Sequence, residues 1–169
     1  MSIPIYSLVA YSNTGKTTFL EKLLPELTAR GLRVAVFKHD AHEFQVDREG
    51  KDSWRMTRAG AAVTVIASET HSAFMENRYV PPETLIFRIT DVDLILTEGY
   101  KHGPWKKIAM SRRDNGKPLP LPPEACFAVV TDEEIKADVP VLGLEDAAEL
   151  AELICRDMGR NGPDEPKPL

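Results

Sequence analysis

A polar turn with a single glycine separates two apolar segments near the start of the chain. Segment 4–9 is a short apolar run that predicts a buried strand, and segment 16–30 carries apolar residues at helical spacing and predicts a helix. Between them stands the sequence Ala10-Tyr11-Ser12-Asn13-Thr14-Gly15-Lys16-Thr17-Thr18. A strand, a turn that ends in Gly-Lys-Thr and a helix, in that order, form the context of a phosphate-binding P-loop. We therefore expect a fold in which a buried strand leads through this turn into a helix.

The residue types in this turn suit a nucleoside triphosphate with Mg²⁺. The backbone N–H groups from Asn13 to Thr17 can form an anion-binding nest, to which the helix N-terminus adds partial positive charge. Lys16 can reach the β- and γ-phosphate oxygens, and the Thr17 hydroxyl is placed to ligate Mg²⁺. The residues predicted to bind nucleotide here are Ser12, Asn13, Thr14, Gly15, Lys16, Thr17 and Thr18. Ala10 replaces the first glycine of the usual motif, which is tolerated if its φ is negative.

Three acidic residues are candidates for work beside the phosphates. Glu98 follows the apolar run 92–97, where a Walker-B carboxylate belongs, and there it can hold Mg²⁺ through a water or orient the attacking water. Asp47 and Asp52 follow the second predicted strand, and either can lie near the metal or the γ-phosphate. The predicted catalytic residues are thus Lys16, Glu98 and Asp47, and the predicted metal ligands are Thr17, Glu98 and Asp52. Asp52 has an equally good alternative role as the N-cap of a short helix.

The order of the remaining segments predicts an α/β fold of the P-loop NTPase type, with three layers and a mostly parallel central sheet. A helix is expected to end near Gly60, and two more are expected at 82–89 and 145–158. Further strands are expected at 33–37, 62–67, 92–97, 108–111, 126–130 and 139–142. We expect one domain over residues 1–158 and a disordered tail at 159–169, where prolines and charges are dense.

Composition narrows the class of protein. The 21 Lys and Arg residues are outnumbered by 26 Asp and Glu, so the net charge of −5 gives no support to a nucleic-acid-coating protein. No apolar run approaches the length of a membrane span, so no membrane partner is expected. The two cysteines, Cys126 and Cys155, stand in apolar surroundings and favour free thiols over a bridge. These features together predict a cytoplasmic location.

Other clusters give weaker indications. Asp132 follows the predicted strand 126–130 and could accept the N–H groups of a guanine base, but the motif Asn-Lys-x-Asp is absent, so the choice between guanine and adenine stays open. His39 and His42 have spacing that alone does not favour a dedicated metal site, and a polar role near phosphate fits better. Segment 101–117 carries a local charge of +5 and predicts either a solvated face or a contact for an anionic ligand or acidic surface.

The chain resembles the MobB family of molybdopterin-guanine dinucleotide biosynthesis adapter proteins. The motifs that carry the resemblance occur in family order over roughly residues 3–155: the P-loop 12–18, Phe37-Lys38-His39-Asp40, Asp47, Gly50-Lys51-Asp52-Ser53, Ala59-Gly60-Ala61, 93–101 with Glu98-Gly99-Tyr100-Lys101, and Val129-Val130-Thr131-Asp132. The P-loop alone is shared by many unrelated NTPases, whereas Gly-Lys-Asp-Ser, Ala-Gly-Ala and Glu-Gly-Tyr-Lys in this order are far more selective.

This resemblance implies a usually homodimeric P-loop protein that binds GTP and Mg²⁺, turns GTP over slowly and assists the molybdopterin guanylyltransferase that joins GMP to molybdopterin. Lys16, Thr17 and Glu98 would take the phosphate and metal roles, and segment 101–117 could meet molybdopterin or the partner enzyme. Two alternatives stay open. One is an ATP-dependent small-molecule kinase, for which Arg55 and Arg58 are present but a long lid insertion is not. The other is a dimeric module that binds nucleotide without turnover.

Overall fold

The computed structural model describes residues 3–39, 44 and 46–160, and these fall into two compact units. The sheet unit comprises the described residues up to His39 and from Ile89 onward, and the hairpin unit comprises those between Asp40 and Arg88. The prediction of one domain over 1–158 stays a prediction, and most of the predicted disordered tail lies outside the described residues. None of the described helices is long and apolar enough to cross a membrane.

The sheet unit is built on six parallel strands in the order β2-β5-β1-β6-β7-β8. The strands are β1 Ile5–Val9, β2 Val34–Lys38, β5 Leu94–Glu98, β6 Lys106–Met110, β7 Ala128–Val130 and β8 Val141–Leu142. Among the described residues of this unit there are two α-helices, α1 Lys16–Ala29 and α4 Ala147–Asp157. The predicted α/β fold with a parallel central sheet is therefore confirmed, and β1 leads through the turn predicted to be a P-loop into α1.

Apolar side chains cover both faces of this sheet. On one face Leu8, Leu96 and Ile108 pack against the buried leucines of α1 and the apolar stripe of α4. Alternate residues such as Val9 and Val129 face the other way. There they meet apolar side chains of the long connections around β7: Leu119, Leu121, Ile135 and Val139. Helices cover one face of this sheet and connecting segments cover the other, and the parallel strands direct their carboxyl ends toward one edge.

The hairpin unit contains α2 Asp52–Arg58, β3 Val63–Ala67, β4 Ser72–Glu76 and α3 Pro82–Phe87. Its two strands pair antiparallel, with Val65 opposite Phe74. The hydroxyls of Thr57 and Thr64 lie 2.8 Å apart and join α2 to β3. Val65 and Phe74 are 59% and 64% exposed, so this ribbon presents an apolar face that its own unit leaves open.

Several local predictions were wrong in detail. Strand β4 was missed, because Ser-Ala-Phe-Met-Glu lacks β-branched residues and gains its extended form from pairing with β3. Strand β7 starts two residues later than predicted, because Pro123–Ala125 forms a 3-10 turn before it. Asp52 is the first residue of α2 rather than its N-cap, a position taken by Lys51. A carboxylate in the first turn still interacts favourably with the helix dipole.

Candidate functional site

The predicted P-loop passes through two left-handed backbone positions just before α1. Asn13 and Gly15 have φ angles of 64° and 96°, both left-handed, and Gly15 is the N-cap of α1. A chain that passes through such positions forms a nest for an anion, and glycine occupies the more extreme of the two at no steric cost. Among the described non-glycine residues only Asn13 and Asp91 have positive φ. Ala10 therefore has negative φ, and its methyl group fits where the usual motif has glycine.

The Lys16 side chain reaches back across this loop to its first residues. Its ammonium donates hydrogen bonds of 3.1 Å to the carbonyl oxygens of both Ala10 and Tyr11. Partial burial lowers the pKa of Lys16, an effect that nearby Glu98 opposes and nearby Lys38 reinforces. Among the described residues its hydrogen-bond partners are carbonyl oxygens, and the Glu98 carboxylate is near enough to interact with it, so a bound phosphate would add negatively charged hydrogen-bond acceptors.

Glu98 ends β5 at the same edge of the sheet. Its neighbours in register are Leu8 of β1 and Lys38 of β2. The next residue, Gly99, has a φ of 88°, and a Cβ there would come within 3.1 Å of the His39 carbonyl oxygen. The chain can therefore turn sharply after Glu98. The Glu98 carbonyl oxygen accepts a 3.0 Å hydrogen bond from the backbone N–H of His39. Lys16, Glu98 and the loop are brought together as the sequence predicts.

Thr17 and Thr18 lie in the first turn of α1, and both are exposed. Their side chains are therefore accessible to a ligand at the loop. Thr14 differs, because it is 2% exposed and its hydroxyl donates a 2.9 Å hydrogen bond to the Tyr11 carbonyl oxygen. Of the predicted loop residues, Thr14 thus maintains the shape of the loop from inside.

A short segment after β6, residues 112–117, contacts the P-loop, and we name it the basic turn. The Asn115 amide nitrogen donates to Thr14 Oγ1 at 2.9 Å and to the Ser12 carbonyl oxygen at 3.3 Å. Asp132, at the end of β7, accepts a 2.7 Å hydrogen bond from the Arg113 backbone N–H. The Asp132 carboxylate therefore holds the basic turn in place through Oδ1, a role that its sequence position did not suggest.

Asp47 and Asp52 belong to the hairpin unit. Asp47 Oδ1 accepts hydrogen bonds from the Arg48 backbone at 2.8 Å and from Ser53 Oγ at 3.1 Å. Its buried Oδ2 has no hydrogen-bond partner among the described residues. Asp52 is exposed and lies 3.7 Å from Arg55. The assignment of these two carboxylates to the phosphates or to Mg²⁺ stays a prediction.

Comparisons with known proteins bear on this arrangement. The family model described as "MobB: Molybdopterin guanine dinucleotide synthesis protein B" matches residues 5–132. The molybdopterin-guanine dinucleotide biosynthesis adapter protein of Haemophilus influenzae is 41% identical over 156 residues, 90% of this chain and 88% of the relative. That of Escherichia coli is 38% identical, over 90% of this chain and 91% of the relative. The crystal structure of Bacillus subtilis MobB matches with a TM-score of 0.73 at 27% identity, over 91% and 97% of the two chains.

The chain belongs to the MobB family. The stretch that matches the MobB family model runs from the first residue of β1 to Asp132. It therefore includes the P-loop, Glu98, the basic turn and the carboxylate that anchors that turn. The resemblance read from the sequence motifs is confirmed.

The basic segment of this MobB chain is not one patch. Lys106 begins β6 and forms an ion pair with Asp157, while Lys107 is 8% exposed and donates a 2.7 Å hydrogen bond to the Gly103 carbonyl oxygen. Arg112, Arg113 and Lys117 follow the other end of that strand, about 13 Å away at a rise of about 3.3 Å per residue. The basic turn contacts the P-loop through Asn115, and Lys101 follows β5, whose carboxyl end lies at the same edge of the sheet.

Two site residues of this MobB chain were not singled out from the sequence. Lys38 was noted only as part of a motif. It ends β2 directly beside Glu98 of β5, a position from which its positive charge acts on the neighbouring Lys16. Asn115 gave no signal, because its contact with Thr14 joins residues 101 positions apart. His39 packs edge-on against the Tyr100 ring at 5.2 Å, and His42 lies outside the described residues. Among the described residues no three His, Cys, Asp or Glu side chains form a metal cluster.

Proposed function

We propose that this chain binds GTP with Mg²⁺ at the P-loop. The observation that carries the proposal is the left-handed pair Asn13 and Gly15 at the N-terminus of α1, with the Lys16 ammonium beside it and Glu98 opposite. N–H groups, a helix N-terminus and one lysine together suit a chain of phosphates better than a carboxylate or a neutral ligand.

Binding would proceed by exchange of partners at Lys16. Its ammonium would leave the carbonyl oxygens of Ala10 and Tyr11 for phosphate oxygens, which carry full negative charge and form stronger hydrogen bonds. Thr17 and Glu98 would hold Mg²⁺, since a hydroxyl and a carboxylate are the hard oxygen donors that this cation takes. The metal would supply charge neutralisation at the phosphates. Glu98 would also orient water, which supports slow hydrolysis.

We further infer that the chain acts as an adapter in molybdopterin-guanine dinucleotide biosynthesis. Two relatives that carry this name match over about nine-tenths of their own length. The partner would be the guanylyltransferase that joins GMP to molybdopterin, and molybdopterin itself could meet the cations within 101–117. Guanine preference would rest on Asp132, whose Oδ2 has no hydrogen-bond partner among the described residues that would compete with a base.

A homodimer is part of the proposal, and the open apolar face of the hairpin unit supports it. A kinase role has no comparable support. Arg55 lies near Asp52, and the Arg58 guanidinium lies 5.7 Å from the Trp54 ring centroid, so both candidate arginines have local partners. The non-hydrolysing module differs from the proposal only in turnover, which a phosphate-release assay decides.

The adapter function is tested by reconstitution. Purified guanylyltransferase, molybdopterin and GTP with Mg²⁺ are combined with the wild-type chain, with Lys16→Ala or with Lys136→Ala, and the dinucleotide formed is measured. Lys136 is exposed after β7 and controls for the loss of one positive charge. The proposal predicts stimulation by the wild type and by Lys136→Ala but not by Lys16→Ala. Equal product yield with and without the chain would refute the adapter role.

A further inference from the structure

Arg112 is the one cation of the basic turn whose side chain reaches the P-loop glycine. Its Nη1 atom lies 3.9 Å from the position that a Cβ on Gly15 would occupy, and the Met110 methyl group lies at the same distance. Gly15 directly precedes Lys16 and caps α1, so this guanidinium stands beside the phosphate cradle.

The neighbouring Arg113 is already hydrogen-bonded to Asp132. The Arg113 guanidinium donates to the Asp132 carbonyl oxygen at 3.2 Å, and its backbone N–H bonds the Asp132 carboxylate. The Arg112 guanidinium has no hydrogen bond or ion pair with any residue in the described ranges 3–39, 44 and 46–160. A guanidinium with several donors and no carboxylate partner is available for an anionic ligand.

Hydrogen bonds to two neighbouring segments hold the basic turn that contains Arg112. Asn115 ties the basic turn to Thr14 and Ser12 of the P-loop, and Asp132 ties it to the end of β7. These hydrogen bonds hold the backbone of the turn beside the loop, so the arginine does not need to be recruited from elsewhere. Such preorganisation lowers the entropy lost when a charged side chain meets its ligand.

We infer that Arg112 is a phosphate-binding residue that adds a second cation to the polyphosphate held by Lys16. This inference rests on the proposed function, since it assigns a further residue to the same site. Asn115 is then a positioning residue, which acts by holding the basic turn against the loop. The ligand chemistry is a nucleoside polyphosphate, for which a planar guanidinium offers two parallel hydrogen bonds to phosphate oxygens.

The test is a calorimetric titration with a non-hydrolysable GTP analogue and Mg²⁺. The proteins compared are the wild type, Arg112→Ala, Arg112→Lys and the charge control Lys136→Ala. Loss of one charge-assisted hydrogen-bonding side chain predicts a Kd that is about tenfold to a hundredfold weaker for Arg112→Ala. Arg112→Lys should recover part of that loss, and Lys136→Ala should match the wild type. Arg112 is exposed, so its replacement should leave thermal unfolding unchanged.

A double variant distinguishes positioning from direct binding. If Asn115 positions Arg112, the losses of binding free energy in Arg112→Ala and Asn115→Ala are less than additive in the double variant, and full additivity would contradict the positioning role. A wild-type affinity for Arg112→Ala, with normal binding by the wild type, would overturn this inference and leave the proposed function standing. Absence of binding by the wild type itself would overturn both.

Discussion

Asn115 donates its side-chain N–H to the hydroxyl of Thr14, and this 2.9 Å hydrogen bond joins the turn after β6 to the interior of the P-loop. The Thr14 hydroxyl in turn donates a hydrogen bond to the Tyr11 carbonyl oxygen. The loop is thus braced from its own first residues and from the neighbouring strand. A braced loop keeps its N–H groups directed inward before any ligand arrives, which reduces the cost of binding an anion.

The first prediction concerns this brace. Thr14→Val keeps the shape of the side chain but removes the buried hydroxyl, so the Tyr11 carbonyl and the Asn115 amide each lose a partner. The Tyr11 carbonyl keeps Lys16 as a donor and the Asn115 amide keeps the Ser12 carbonyl as an acceptor, so the cost is that of two lost hydrogen bonds. At about 0.5–1.5 kcal/mol each, we expect a loss of about 1–3 kcal/mol in the free energy of unfolding from urea titration. Thr18→Val on the exposed side of α1 is the control and should change stability by less than about 0.5 kcal/mol. Equal stabilities for the two variants would show that the brace is not energetically significant.

The second prediction separates two roles of Asp132. Asp132→Asn retains an oxygen that can accept the Arg113 N–H, whereas Asp132→Ala removes it. We expect Asp132→Ala to lose about 1 kcal/mol of stability, as for other lost hydrogen bonds, and Asp132→Asn to lose less. If Asp132 also binds guanine, Asp132→Asn should lose the preference for GTP over ATP while it keeps normal stability. An unchanged base preference in Asp132→Asn would assign this carboxylate to the basic turn alone.

The third prediction concerns acid stability at the opposite end of the sheet. Burial raises the pKa of Asp157, but hydrogen bonds from Lys106 and from the Tyr6 phenol outweigh it and hold the pKa below its ordinary value of 3.8. Between the lowered pKa of Asp157 in the folded chain and its ordinary value of 3.8, the unfolded chain therefore binds more protons than the folded chain. The stability that Asp157 contributes is complete above pH 3.8 and is lost as the pH falls through the folded pKa.

Asp157→Asn should accordingly lower Tm at neutral pH and flatten the dependence of Tm on pH below about 4. The measurement is thermal unfolding by circular dichroism from pH 2.5 to 7. Asp138→Asn, an exposed residue before β8, is the matched control and should follow the wild-type curve. A wild-type slope in Asp157→Asn would contradict the linkage.

The fourth prediction concerns the apolar ribbon face of the hairpin unit. Val65 and Phe74 lie opposite each other in register and are more than half exposed, an arrangement that monomeric proteins seldom leave open. We expect a second copy of the chain to cover this face. Sedimentation velocity should show a dimer for the wild type and for Thr90→Glu, and a monomer for Phe74→Glu. A dimer in all three proteins would place the interface elsewhere.

The sequence predicted the features that depend on local order. Strand β1, the P-loop and α1 follow one another along the chain, and the continuous apolar run before Glu98 required a strand covered on both faces. The carboxyl ends of parallel strands then had to meet at one edge, which placed Lys16 near Glu98. Helix α1 ends at Ala29 with Arg30 as its C-cap, which agrees with the helix expected over 16–30.

The features that were missed depend on contacts between distant residues. No local pattern in Ser72–Glu76 signals a strand without its partner β3. The basic segment suggested one charged patch, but β6 begins inside it and directs Lys106 and Arg112 to opposite ends of the sheet. The anchoring role of Asp132 requires knowledge of where the basic turn lies, which only the folded chain supplies.

The central claim is that this MobB family member binds GTP at the P-loop. The most direct measurement is a calorimetric titration of the purified chain with GTP and with ATP, each with and without Mg²⁺, repeated on Lys16→Ala. We expect saturable binding that is tighter for GTP than for ATP, strengthened by Mg²⁺ and abolished in Lys16→Ala. Equal affinity for ATP would contradict the guanine preference, and undiminished binding by Lys16→Ala would contradict the assignment of the loop.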